Sequence, residues 1–160
     1  MSVIDHYINA ILVQGRAEAL ADGSAAIEPH HLLLAIASVE ENAARQVLTA
    51  EGLDRQAIKD ALDREFERSL SLAGVSLASF GLPPSTPDPK RSVSMGASTR
   101  LALERGFAAA TGKRDLRPGH LLLGILQAEV GTVPRALALA GVDRPALMGS
   151  VEQALANGSW

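Results

Sequence analysis

The chain has 160 residues, 47% of them apolar and 21% charged, so it can bury a hydrophobic core and is not a disordered segment as a whole. Only 3% is aromatic, which leaves the core to Leu, Ala, Val and Ile and tilts the expectation towards helix. The lack of cysteine excludes disulfides, thiolate zinc sites and Cys nucleophiles, and a net charge of −3 gives no global attraction to nucleic acid or anionic lipid.

Asp5 interrupts the apolar stretch from Val3 to Val13 and no basic region precedes it, so no signal peptide is expected. No apolar run reaches membrane-spanning length either, and the expectation is a cytoplasmic protein without a membrane partner. A first helix is predicted from an N-cap at Asp5 to about Ala21, ended by Asp22-Gly23. Pro29 opens a second helix, since the first turn has no use for the missing N–H, and the Leu32–Leu34 triplet gives it a wide apolar face. A third is expected from Asn42 to Ala50, stopped by Gly52, and a fourth after the cap Asp54, with Ala57, Ile58, Ala61, Leu62 and Phe66 at helical spacing. Residues 69–93 read as a connector, with four prolines close together around residues 81–90 that cannot continue a helix. Leu70, Leu72, Val75, Leu77 and Phe80 are apolar enough to lay part of it across the helices.

The same series then recurs. Ile-Glu-Pro-His-His-Leu-Leu-Leu-Ala-Ile at 27–36 returns as Leu-Arg-Pro-Gly-His-Leu-Leu-Leu-Gly-Ile at 116–125, and Gly52-Leu-Asp-Arg55 as Gly141-Val-Asp-Arg144. Arg16–Ile58 aligns with Arg105–Leu147 without a gap, which marks an internal duplication. The second copy is predicted to have a first helix capped by Ser94 and ended by Thr111-Gly112, a second led by Pro118, a third over Thr132–Ala140 and a fourth capped by Asp143. The fold expected is all-α, with eight helices in two pseudo-twofold-related four-helix repeats. Residues 1–68 form one copy and 94–156 the other, packed as one domain. Residues 1–80 hold 6 basic against 12 acidic residues, and residues 81–160 hold 9 against 6. Such a division fits surfaces that diverged after duplication, or a face of one copy suited to an acidic partner or to head-to-tail association.

A tandem repeat with Pro-x-His-Leu-Leu-Leu-[Ala/Gly]-Ile opening the second helix and Gly-[Leu/Val]-Asp before the fourth resembles the Clp N-terminal repeat domain, which precedes the ATPase rings of ClpA-, ClpB- and ClpC-type unfoldases. The resemblance implies a helical docking module that receives substrates and adaptors. Clp unfoldase or protease components, adaptors or client proteins are the partners it suggests. No Gly-x-x-x-x-Gly-Lys-[Ser/Thr] loop is present, so ATP hydrolysis by that route is not expected, and no cofactor is implied. The ClpC branch reads Gly-Thr-Glu-His where this chain has Glu28-Pro29-His30-His31 and Arg117-Pro118-Gly119-His120. That branch can recognise phosphoarginine, with phosphate at the N-caps of the first helices, positions that match Asp5 and Ser94. Its Glu, which pairs with the guanidinium, matches His30 and Gly119. An ionised Asp5 repels phosphate, and neither His30 nor Gly119 replaces a carboxylate. Phosphoarginine binding in the family's manner is therefore not expected.

His31 and His120 occupy equivalent positions and are read as packed, hydrogen-bonded structural residues rather than switches. Adjacent His30 and His31 point roughly 100° apart on a helix. His6 could approach His30, but no carboxylate at ligand spacing completes a metal sphere, so no metal is expected. Arg117, with Lys113, Arg114, Arg100 and Arg105, could form a small basic patch near Ser94. It lacks the interleaved aromatics of a nucleic-acid surface. Neither Asp63 with Glu67 nor Glu40 with Glu41 reads as an acid–base pair, and no nucleophile elbow is present, so catalysis is not expected. Two alternatives to the accessory role stay open: a stand-alone receptor or decoy for client proteins or peptide-like ligands, and a small-molecule site between the halves.

Overall fold

Ser2 stands three residues before Asp5, and each caps the other. Ser2 Oγ accepts from the Asp5 N–H (3.3 Å) while the Ser2 N–H donates to Asp5 Oδ2 (3.0 Å). This capping box starts helix α1 (Val3–Ala21), so the N-cap is Ser2, with Asp5 inside the first turn rather than at the cap expected of it. The computed structural model describes residues 1–74, 88 and 90–160. The expected packing of Val75, Leu77 and Phe80 and the proline-rich centre of the connector lie outside the described residues. After strand β1 (Ala26–Ile27) come α2 (Pro29–Ser38), α3 (Ala43–Ala50) and α4 (Arg55–Leu72), the last two begun by the side-chain caps Asn42 and Asp54. Helix α4 runs four residues into the stretch read as connector.

The second copy starts differently. Arg91 donates to the carbonyls of Gly23 (2.9 Å) and Ser24 (2.6 Å), which brings the following residues alongside β1. Ser94–Met95 form β2, paired in parallel with Ala26–Ile27. Ser94 is therefore a strand residue, and the N-cap of α5 (Ala97–Ala109) is Gly96. The local sequence around Ser94 does suit a cap, but a neighbour 69 residues away in the chain claims its N–H: Ser94 donates to the Ala25 carbonyl (3.3 Å). A short 3-10 turn (Lys113–Asp115), α6 (Pro118–Leu126), α7 (Thr132–Leu139) and α8 (Arg144–Ala156) follow. Among the described residues the fold is all-α, with eight α-helices and one short strand pair.

Helices α2 and α6 form the centre. Every residue of α6 is buried, as are seven of the ten in α2. Leu32, Leu33, Ile36, Leu121, Leu122, Ile125 and Leu126 are sealed from solvent, each such side chain contributing about 2 kcal/mol by burial. Around this pair α1 covers α2 and α5 covers α6. Helix α4 packs on α7, and reciprocally α8 packs on α3. Two partly exposed arginines join outer helices to buried carboxylates: Arg55 with Glu18 (2.9 Å) and Arg135 with Glu65 (2.7 Å).

Helices α5 and α6 touch backbone to backbone. A Cβ on Gly124 would lie 2.1 Å from the Ala102 carbonyl oxygen, and one on Gly106 2.9 Å from that of His120. Gly124→Ala is expected to cost about 3 kcal/mol, a fall in Tm of about 6–12 °C. Gly149 in α8 faces open space, and Gly149→Ala should raise stability by about 0.5–1 kcal/mol. Thermal melts of the two variants read both signs.

Candidate functional site

Pro29 supplies no N–H to the first turn of α2, and the turn is completed from the side. His31 Nδ1 accepts the Glu28 N–H at 2.9 Å. In the second copy His120 Nδ1 accepts the Arg117 N–H at 3.0 Å. Both imidazoles are buried, at 1% and 7% exposure. An Nδ1 that accepts leaves the proton of a neutral ring on Nε2. His31 Nε2–H accordingly donates to Asp22 Oδ2 at 2.7 Å, tying the end of α1 to the start of α2. Burial pushes the Asp22 carboxyl up, but contacts from His30, His31 and Ser24 outweigh it and hold the group well below the usual carboxylate range.

Asp22, His30 and His31 place one possible ligand atom each within 4.8 Å of one another. Sequence reasoning found no carboxylate for a metal sphere because it looked beside the histidines, whereas Asp22 arrives from the preceding helix. The hydrogen-bonding pattern nonetheless commits His31 Nε2 to a proton, so this nitrogen offers a metal no lone pair while Nδ1 holds the Glu28 N–H. The chemistry of the trio is that of a hydrogen-bonded brace. His30, with Nε2 3.8 Å from Asp22 Oδ2, faces outward at the mouth of two cavities.

These cavities flank His30 and share Thr132 at the start of α7. One, about 400 Å³, lies between Pro29, Leu101, Arg105, Val130 and Arg135. The other, about 490 Å³, lies between Asp22, Leu34, Leu62, Asp63, Glu65 and Phe66. Phe66 is 55% exposed and Val130 84%, so the rim carries large apolar side chains facing water.

The other sequence candidates are dispersed. Asp5 is 3.2 Å from Lys113 and is pulled down to about 2, first by the Ser2 hydrogen bonds and then by Lys113. Hence a carboxylate already occupies the N-terminus of α1. At α5 the carboxylate of Glu28 faces Gly96 so closely that a Cβ there would lie 2.7 Å from Oε1. Gly119 is buried under α8, where an added Cβ would meet Leu155 at 3.0 Å. Arg117 bonds the Leu155 carbonyl (3.4 Å) and approaches Asp115 (3.8 Å). The basic residues do not converge: Lys113 and Arg114 line a third cavity with Val3, Leu116 and Trp160, while Arg105 lines the His30 groove. Asp22, Phe66 and Thr132 belong to the groove and were missed. The one sequence signal for them is that Gly131 stands where the first copy has the cap Asn42.

Burial holds the His120 imidazole below the usual histidine range, with Asp115 opposing and Arg117 assisting. A depressed imidazole binds its proton more weakly folded than unfolded, so its contribution to stability is present above about pH 6.5 and is lost as pH falls towards the folded value. Tm should therefore drop between pH 7 and 5. His120→Asn, whose Oδ1 can still accept the Arg117 N–H, should flatten that slope at a cost of about 1 kcal/mol. The carboxylate series gives a second check. Gly119→Glu should destabilise by about 2 kcal/mol against Leu155, whereas His30→Glu, at the open groove, should cost only about 1 kcal/mol, through repulsion from the Asp22 carboxylate rather than a clash.

A family model described as the Clp repeat (R) N-terminal domain matches residues 4–91, more than half of the chain. No curated protein matches. A solved structure described as "Preliminary structural investigations of a malarial protein secretion system" is similar at a TM-score of 0.61 and 19% identity, covering 92% of this chain and 90% of that one. At that identity the likeness is one of fold alone.

Proposed function

Because the chain belongs to the Clp repeat (R) N-terminal domain family, we propose that it is a non-catalytic protein-binding module acting as an accessory in Clp-dependent proteolysis. The observation that supports this reading is the groove around His30. It opens between α2, α4, α5 and α7 and presents Phe66, Leu101 and Val130 to solvent beside ionised side chains. A rim of exposed apolar side chains interleaved with charged ones suits a protein segment. Recognition does not use phosphoarginine, because Asp5 and Glu28 stand at the two helix starts that would take the phosphate. Unfoldase or protease subunits and their adaptors are the partners proposed, in the cytoplasm. No helix among the described residues is long and apolar enough to cross a membrane.

Affinity capture from the native lysate tests this. Near-stoichiometric recovery of Clp unfoldase or protease subunits is expected. Phe66→Glu combined with Leu101→Glu, both at exposed groove positions, should cut that recovery by about tenfold or more. A heterogeneous set of client proteins would replace the accessory role with that of a receptor. Undiminished capture by the double variant would move the binding surface away from the groove.

A further inference from the structure

The two copies treat the start of their third helices in opposite ways. In α3 every free N–H of the first turn is satisfied. Asn42 Oδ1 accepts from Ala44 and Arg45, and the Ala43 N–H donates to the carbonyl oxygen of Trp160. That carbonyl is delivered by the tail after α8. Gly158 adopts φ +74, which only glycine takes readily, and the chain folds back so that Ser159 N–H bonds the Ala154 carbonyl (3.0 Å). The two residues after the turn that ends α8 thus sit on the start of α3 and close the place beside Gly119 and Leu155.

At the equivalent place in the other half, nothing among the described residues does this. The positions matching Asn157–Trp160 are Arg68–Ser71, which have no glycine and continue as helix α4. Gly131 replaces Asn42 and cannot cap. Its φ of +110 is one that residues with a Cβ rarely adopt, so the cap has been exchanged for a turn. Thr132 and Val133 keep N–H groups without an acceptor among the described residues, and Pro134 has none to offer. His30 stands in place of Gly119, and Phe66, which matches Leu155, is swung out to 55% exposure. The duplicated site that the tail fills in one half is, in the other, the 490 Å³ cavity with Thr132 at its edge.

We propose that this cavity binds an extended peptide segment in the manner of the chain's own tail. One main-chain carbonyl of the peptide accepts the Thr132 N–H, an apolar side chain packs on Phe66, Leu34 and Leu62, and a neighbouring Lys or Arg faces Asp22 and Asp63. The helix start favours an acceptor because its amides point outward and its dipole is positive there. The charge preference follows from the lining: Glu18, Asp22, Asp63 and Glu65 against Lys59. Arg55 and Arg135 neutralise Glu18 and Glu65, and Lys59 pairs with the exposed Asp63 at 3.3 Å, so the charge left over on this lining is that of Asp22, with Asp63 beside it in an exposed pair that a peptide cation can share. The inference rests on the protein-binding reading and assigns that groove its ligand chemistry.

The probe is a fluorescein-labelled, amidated peptide of sequence Ala-Asn-Gly-Ser-Trp-Lys-Lys, with Ala-Asn-Gly-Ser-Trp-Glu-Glu as its control, titrated against the full chain by anisotropy at low salt. The Lys peptide is expected to bind about tenfold more tightly than the Glu peptide, a gap that narrows as salt screens the carboxylates. Thr132→Pro removes only the N–H and hydroxyl at a first-turn position that tolerates proline. It should leave Tm near that of the parent and weaken the Lys peptide about fivefold. Asp63→Lys should erase the preference for the Lys peptide. The proposal is overturned if the Lys peptide does not bind, if Thr132→Pro binds it as well as the parent does, or if the Glu peptide binds more tightly. Competition by millimolar inorganic phosphate at the Thr132 amide would likewise overturn it in favour of a small-anion site. Full Clp capture by Thr132→Pro would sink this inference while leaving the module reading intact, so the two failures are separable.

Discussion

Two short helices with no polar face set the terms for everything else in this molecule. Helices α2 and α6 bury the Leu triplets and their flanking Ile residues so completely that each must be covered all round, which a single four-helix copy cannot do. Duplication supplies the cover: α2 and α6 touch each other, and each copy lends its outer helices to the other through the α4–α7 and α8–α3 contacts. Burial at the centre also forbids a loose helix start. A backbone N–H left without an acceptor there costs about 1–3 kcal/mol, and the Pro-x-His pattern answers that cost with an imidazole acceptor two residues after the proline.

The same requirement explains why a histidine pair that looks reactive is structural in its hydrogen bonding. Once Nδ1 is committed to a backbone N–H, the tautomer is fixed and Nε2 becomes a donor. In the first copy Asp22 receives that donor and binds the end of α1 to α2; in the second, Thr111 stands at the matching position and the brace is missing. The difference between copies is concentrated along this edge. With Gly119 in the second copy, Leu155 can settle onto the start of α6. With His30 in the first, the equivalent Phe66 faces solvent and a groove remains. One duplicated interface has become packing and the other has stayed a surface.

Anion sites show a parallel exchange. The starts of α1 and α5 are the places where a helix dipole would welcome a phosphate, and in both the protein puts a carboxylate of its own: Asp5 by a local capping box, Glu28 by the approach of β1 to Gly96. Among the described residues the first-turn amides of Thr132 and Val133 have neither a carboxylate nor a cap beside them, and Thr132 borders the groove.

The sequence by itself carried the internal self-similarity and determined the all-α class, the limits of most helices and the caps Asp54 and Asp143. These depend on partners within four residues or on apolar periodicity, both of which are written locally. The burial of two histidines after their prolines was readable for the same reason. Tertiary structure alone decided that Ser94 pairs as a strand instead of capping a helix, that Asp22 reaches His31, that Phe66 and Leu155 differ in exposure, and that the tail covers the start of α3 while no described residue does so at α7. Each of these turns on an atom delivered by another element, such as the Ala25 carbonyl for Ser94 or the Trp160 carbonyl for Ala43. Local propensity cannot rank such competitors, because packing of the shared core chooses which of them arrives within hydrogen-bond distance.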